Sequence, residues 1–306
     1  MGGQGWWVAT PRRSKRAREM RARRGLNMGA QKKVKTNGVA GFFCCLVSFP
    51  HMAFHVSCPA YLTENDFTEN AAAQPVSLYI SNKCPFPIWP ATAPNAGHPV
   101  IADGGFSLPS GQTRRIYAPP TWSGRLWART GCKFNSNWQP ACQTGDCDGR
   151  FACNGTIGLP PATLVQISLQ PDKSKPSFYD VSLVDGYNLP VSVTTKPRAS
   201  KCSIGGCLTN MNSLCPQELQ VLSNNMEVVA CKSACLAFNL DMFCCRNEYG
   251  TPEKCKPSVY SKMFKGACPS YYSYAFDTPA PLVNCPSKEY IITFCPSNWG
   301  DEHMGI

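Results

Sequence analysis

Cys132, Cys142, Cys147 and Cys153 fall within one stretch, WARTGCKFNSNWQPACQTGDCDGRFAC (Trp127 to Cys153), with too few apolar residues to make a core of its own. Disulfides must therefore hold it, and its polar groups are candidates for a surface site. The constraint runs along the chain, which has 19 cysteines in 306 residues with only 16% charged residues. Such cysteine usage indicates an oxidising compartment. The 27 prolines argue against a helical bundle, since each removes a backbone donor, and they suit short strands joined by turns.

The formal net charge of +11 points at first to a nucleic-acid binder, but it is concentrated at one end. Residues 1–36 hold eleven Lys or Arg against Glu19 alone, residues 37–75 are acidic, and residues 76–306 carry a net of only +4. That mild balance speaks to solubility, and no nucleic-acid partner is expected. Residues 1–75 read as a leader. Lys32, Lys33 and Lys35 precede the apolar run Val39 to Phe49, in the manner of a secretory signal. Pro50, His51 and His55 interrupt that run before it reaches the roughly 18 to 20 apolar residues of a membrane span, so no transmembrane segment is expected. The Arg-rich run Pro11 to Arg24 has three readings: a nuclear or nucleic-acid tail, an organelle transit element, or unneeded sequence before a second start at Met28. The third is preferred, with 1–27 an upstream extension, 28–58 a signal peptide and a linker to 75. Cleavage near Cys58 and cleavage at Ala71 to Ala73 both stay open. Cys44, Cys45 and Cys58 go with the leader, leaving sixteen cysteines, an even number that permits complete pairing.

From Val76 the pattern is of short strands. Val76, Leu78 and Ile80 alternate with Ser77, Tyr79 and Ser81. Phe106 to Leu108 and Arg115 to Tyr117 flank the turn Pro109-Ser110-Gly111 as a hairpin. In SGRLWART, Leu126 and Ala128 share one face, and Trp127 and Arg129 the other. Ala162 to Leu169 and Phe178 to Asn188 are two further strands, the second closing on the Asp185-Gly186 turn. Strands this short predict an antiparallel sandwich or barrel. Residues 202–268 differ, holding more than half of the sixteen cysteines and two helical patterns, CPQELQVL and VACKSACLAF. They predict a small stapled lobe, and its junction with the strands is the natural place for a cleft.

Several chemistries fall away. Paired C-x-x-C spacings are absent, so no metal is expected. The domain has only His98 and His303, which leaves a nucleophile without its usual base, and no glycine-rich phosphate loop precedes a helix, so no cofactor is expected. Carboxylates remain. Asp180 and Asp185 flank a strand, and their odd separation sends them to opposite faces unless the Asp185-Gly186 turn re-aims one. Asp146 and Asp148 read as turn-makers. Trp89, Trp127 and Trp138 fit the core better than a sugar platform. Asn154-Gly155-Thr156 is an N-glycosylation sequon.

Together the cysteine order and the segments ACQTGDCDGRFAC (Ala141 to Cys153), GGFSLPSGQ (Gly104 to Gln112), WSGRLWART (Trp122 to Thr130), PPATL (Pro160 to Leu164) and FYDVSLVDGYNLP (Phe178 to Pro190) resemble the thaumatin-like family of plant defence proteins. The resemblance covers about Val76 to Pro296. It implies a mainly β fold, an antiparallel β-sandwich with disulfide-rich loop and helix lobes. From roughly two million possible pairings of sixteen cysteines it selects eight disulfides. These are Cys84–Cys295, Cys132–Cys142, Cys147–Cys153, Cys202–Cys285, Cys207–Cys268, Cys215–Cys231, Cys235–Cys244 and Cys245–Cys255.

The family also implies a cleft lined by one Arg, one Glu and three Asp, carried onto Arg129, Asp180, Asp185 and Asp277, with the Glu replaced by Gln166 in TLVQ. Family members that cleave β-1,3-glucan are thought to use two cleft carboxylates, and a glutamine can bind a hydroxyl but can neither give nor take the proton. The resemblance therefore implies a secreted, apoplastic, monomeric antifungal protein whose partner is fungal cell-wall β-1,3-glucan or another cell-surface component. A weak endo-β-1,3-glucanase using Asp180 or Asp185, and an inhibitor of a hydrolase or protease, are the rival functions.

Overall fold

The computed structural model describes residues 74–134, 141–170 and 177–296. Trp138, His303 and almost all of the expected leader lie outside them.

Among the described residues, eleven strands make three sheets. The first sheet orders β3 (Thr113–Ala118), β1 (Val76–Asn82), β11 (Glu289–Phe294) and β7 (Val191–Thr195). The second orders β10 (Val283–Asn284), β6 (Phe178–Ser182), β5 (Leu164–Ser168), β4 (Ser123–Arg129) and β2 (Trp89–Pro94). A small ribbon pairs β8 (Gln220–Leu222) with β9 (Val228–Cys231). The pairings are antiparallel except β1 with β11, where the domain's first and last strands run parallel, Leu78 opposite Tyr290 and Ile80 opposite Ile292.

Strand alternation decides which residues fill the core. Leu78, Ile80, Val193 and Ile292 from the first sheet meet Leu126, Val165, Ile167 and Val181 from the second in one buried cluster. Each such side chain contributes about 1.5–3 kcal/mol of transfer free energy. The opposite face of β4 buries Trp127 in a second cluster with Ala91, Ala93, Leu164, Cys147 and Cys153. Here the stapled loop covers the outside of the sheet, and Trp127 Nε1 donates to Gly145 O at 2.8 Å.

Two local expectations change. The turn after Leu108 joins no hairpin, because Leu108 bridges Ile88 whereas β3 pairs with β1. Alternation alone cannot say which partner a strand takes. The segment CPQELQVL forms a short 3-10 turn at Gln217–Leu219 and then β8. Its helical periodicity yields to the Cys215–Cys231 bridge and to pairing with β9. The stapled lobe carries short helices α1 (Met211–Leu214), α2 (Ala234–Phe238) and α3 (Asp241–Cys244), and the longer α4 (Val259–Ala267), capped by Ser258 Oγ accepting from Ser261 N. All eight disulfides join the pairs that the family resemblance implied.

Candidate cleft on the second sheet

Beyond the part covered by the stapled loop, the outer face of the second sheet carries a polar row. Register places Arg125 of β4 opposite Gln166 of β5, and Gln166 opposite Asp180 of β6. Directly opposed residues on an antiparallel ladder hold their Cβ atoms about 4.5–5.5 Å apart, so the three side chains form one line. Gln166 Nε2 donates to Asp180 Oδ1 at 3.1 Å. Burial pushes the Asp180 carboxyl up to about 7, against the opposing pull of the Gln166 hydrogen bond and the Arg125 charge.

Asp185 lies past the end of β6, where Gly186 turns the chain with φ +85°. A Cβ there would stand 2.5 Å from the Pro161 side chain, so this turn needs glycine. Burial raises the Asp185 carboxyl and Arg125 opposes the rise, as it does at Asp180, so one guanidinium acts on both acids. Asp277 is buried and held from several sides. Its Oδ2 accepts from Ser273 N at 2.8 Å and Ser273 Oγ at 3.0 Å, and pairs with Lys265 Nζ of α4 at 3.1 Å.

Tyr272 lies within electrostatic reach of Asp180 and Asp277. It bridges Ser182 in parallel, and its phenol is pushed up to about 12 by burial and by the charges of Asp180 and Asp277. Sequence reading missed Tyr272, because its bridge to β6 follows from no local pattern.

Arg129 does not join this row. It sits on the same face as Arg125 but four residues further along β4, about 13 Å at strand rise, and it is fully buried. Its Nε donates to Trp89 O at 3.1 Å, Nη1 to Arg150 O at 2.7 Å and Nη2 to Phe151 O at 3.0 Å. A Cβ on Gly105 would stand 2.6 Å from Nη2, so Gly105 leaves room for the guanidinium. The cation is structural, and burial lowers its pKa to about 10 although Asp146 favours the charge. Arg125, rather than Arg129, stands in the row with Gln166 and Asp180. Its opposition to Gln166, once the register is known, is the signal that identifies it.

Arg129→Met is therefore expected to cost about 3 kcal/mol of stability, because three carbonyls lose their charged donor. Guanidinium unfolding checks this, and a loss below about 1 kcal/mol would put the guanidinium in solvent instead.

Asp146 shapes its loop by accepting from Ala141 N, Cys142 N and Gly149 N, and Asp148 takes a left-handed turn with φ 58°. Asn154 is exposed, so its sequon is open to modification.

The thaumatin family model matches residues 82–296. The chain belongs to the thaumatin family. A thaumatin-like protein of Arabidopsis thaliana is 49% identical over 228 residues, covering 74% of this chain and 92% of the relative. Pathogenesis-related protein 5 of Arabidopsis thaliana is 45% identical, covering 75% and 94%, and an osmotin-like protein of Solanum lycopersicum is 48% identical, covering 71% and 88%. Among solved structures, a laminaripentaose-producing β-1,3-glucanase in complex with laminaritetraose matches with a TM-score of 0.50 at 12% identity, covering 72% of this chain and 98% of that one. This last likeness concerns the thaumatin fold alone. No helix among the described residues is long and apolar enough to cross a membrane.

Proposed function

We propose that this thaumatin-family chain is a secreted, defence-related plant protein that binds β-1,3-glucan through the Arg125–Gln166–Asp180 cleft without cleaving it. The names pathogenesis-related and osmotin-like, carried by relatives at 45% and 48% identity, support the defence role. Eight disulfides fit an oxidising, extracellular setting. A leader ending before Val76, a monomeric domain over 76–306 and a glycan at Asn154 belong to the same proposal.

The observation that carries the binding reading is the 3.1 Å bond from Gln166 Nε2 to Asp180 Oδ1. An amide occupies the place beside Asp180 where a second acid would stand. The pair presents donors and acceptors to sugar hydroxyls but offers no acid–base couple. Asp180, with its carboxyl near pH 7, favours a second reading in which it donates a proton to a glycosidic oxygen while Asp185 serves as base or nucleophile.

One experiment separates the two. Purified protein is expected to be retained on insoluble β-1,3-glucan without releasing reducing ends, and Arg125→Ala is expected to weaken retention about tenfold. Reducing ends released by wild type and abolished in Asp180→Asn would establish the hydrolytic reading. Failure of retention would remove glucan as the ligand.

A further inference from the structure

We propose a second ligand site, for a neutral oligosaccharide, in the groove between the Pro85–Pro87 turn and the β8–β9 ribbon. The groove measures about 630 Å³, within the range of small-molecule sites. Phe86, Trp89, Gln143, Asn188, Asn212 and Glu227 are among the residues that line it. It lies at the Trp89 end of β2, which pairs with Arg129, whereas the cleft gathers around Arg125. The two sites are separated along β4 by about 13 Å.

Three features select the ligand. Phe86 and Trp89 are half-buried aromatic rings, with Trp89 fixed edge-on to Phe134 at 6.1 Å between centroids. Partly exposed aromatic rings of this kind offer apolar surface to the C–H face of a sugar ring. Glu227 is the one charged residue lining the groove among the described residues, which disfavours an anionic ligand. Asn212 spends its Nδ2 on Asn188 O at 3.3 Å, and its Oδ1 is buried with no donor among the described residues. An acceptor left in that state costs about 1–3 kcal/mol, and a turn of the Asn212 amide toward the groove lets a ligand hydroxyl supply the donor. A wholly apolar ligand would leave the cost in place.

The walls are rigid before any ligand arrives. Asn82 Nδ2 donates to Phe86 O and Leu108 O at 2.9 Å each, and Cys84 is bridged to Cys295. The Asn188 side chain donates to Ala128 O and Thr144 Oγ1, and accepts from Thr163 N and Leu189 N. Affinity lost to ordering is correspondingly small.

The test is a titration of the isotope-labelled full-length protein with laminarihexaose, xylohexaose and cellohexaose, followed by amide chemical shifts. At least one sugar is expected to give saturable shifts at Trp89, Gly131, Gln143, Asn212 and Val228. Trp89→Ala is expected to weaken that binding about tenfold and Asn212→Leu about fivefold, whereas Arg125→Ala and Asp180→Asn leave it unchanged. The wild-type shift map decides the matter even if a groove variant fails to fold. Saturable shifts from none of the three sugars, or shifts confined to Arg125, Gln166 and Asp180, overturn the proposal. Because the cleft variants are scored separately, failure here leaves the glucan-cleft reading standing, and the reverse also holds.

Discussion

Replacing Cys84 and Cys295 together by alanine is expected to lower the unfolding free energy by about 5 kcal/mol, the largest effect of any single bridge. The two cysteines are separated by 211 residues, and they tie the end of β1 to the end of β11, its parallel neighbour. Loop-closure entropy rises with the logarithm of loop length, so the Cys202–Cys285 bridge inside this loop shortens it without much reducing its effect. Cys147–Cys153 closes only six residues of separation and is expected to contribute about half as much. Guanidinium unfolding of both double variants under non-reducing conditions gives the comparison. Equal losses would show that native contacts around each bridge, rather than constraint of the unfolded chain, set its contribution.

The parts of the fold legible in the sequence are those with short-range causes. Period-two alternation located β1, β4, β5 and β6, because each side of the sandwich demands an apolar residue at every second position. The two faces of SGRLWART were read correctly, with Leu126 and Ala128 entering one buried cluster and Trp127 another. Partners were not legible. Leu108 bridges Ile88, and β1 pairs in parallel with a strand about two hundred residues away, neither of which alternation can encode. The disulfide pairing was accessible only through family resemblance, since counting alone leaves every pairing open.

The candidate site shows the same division. Gln166, Asp180 and Asp185 came from motifs, and the first two stand side by side on neighbouring strands. The arginine was misplaced because Arg125 and Arg129 share one strand face, and sequence gives no sign of which end of that face the stapled loop will cover. Three backbone carbonyls claim Arg129, and the register sets Arg125 opposite Gln166.

Asp180→Asn is expected to raise stability at pH 8 by up to about 4 kcal/mol and to have almost no effect at pH 4. The sign follows from the carboxyl being raised to about 7 in the folded protein, against about 3.9 in an unfolded chain. Below pH 4 both states hold the proton and the group is neutral to stability. Between about 4 and 7 the unfolded chain has released its proton while the fold retains it, so wild-type stability falls as pH rises through that window. Above 7 both are ionised, and the full cost of a buried carboxylate persists. Asparagine carries no proton to lose, and its Oδ1 can still accept from Gln166 Nε2. Asp185 is also raised by burial and tilts the wild-type curve the same way, so the difference between wild type and Asp180→Asn isolates Asp180. Gln166→Glu sets a second carboxyl against the first and is expected to steepen the fall, since like charges at that separation resist ionising together. Unfolding by guanidinium at pH 4, 6 and 8 gives the three curves. A wild-type curve parallel to that of Asp180→Asn would mean that Asp180 ionises as freely as an exposed carboxyl, and the buried amide–acid pair at the centre of the cleft would have to be abandoned.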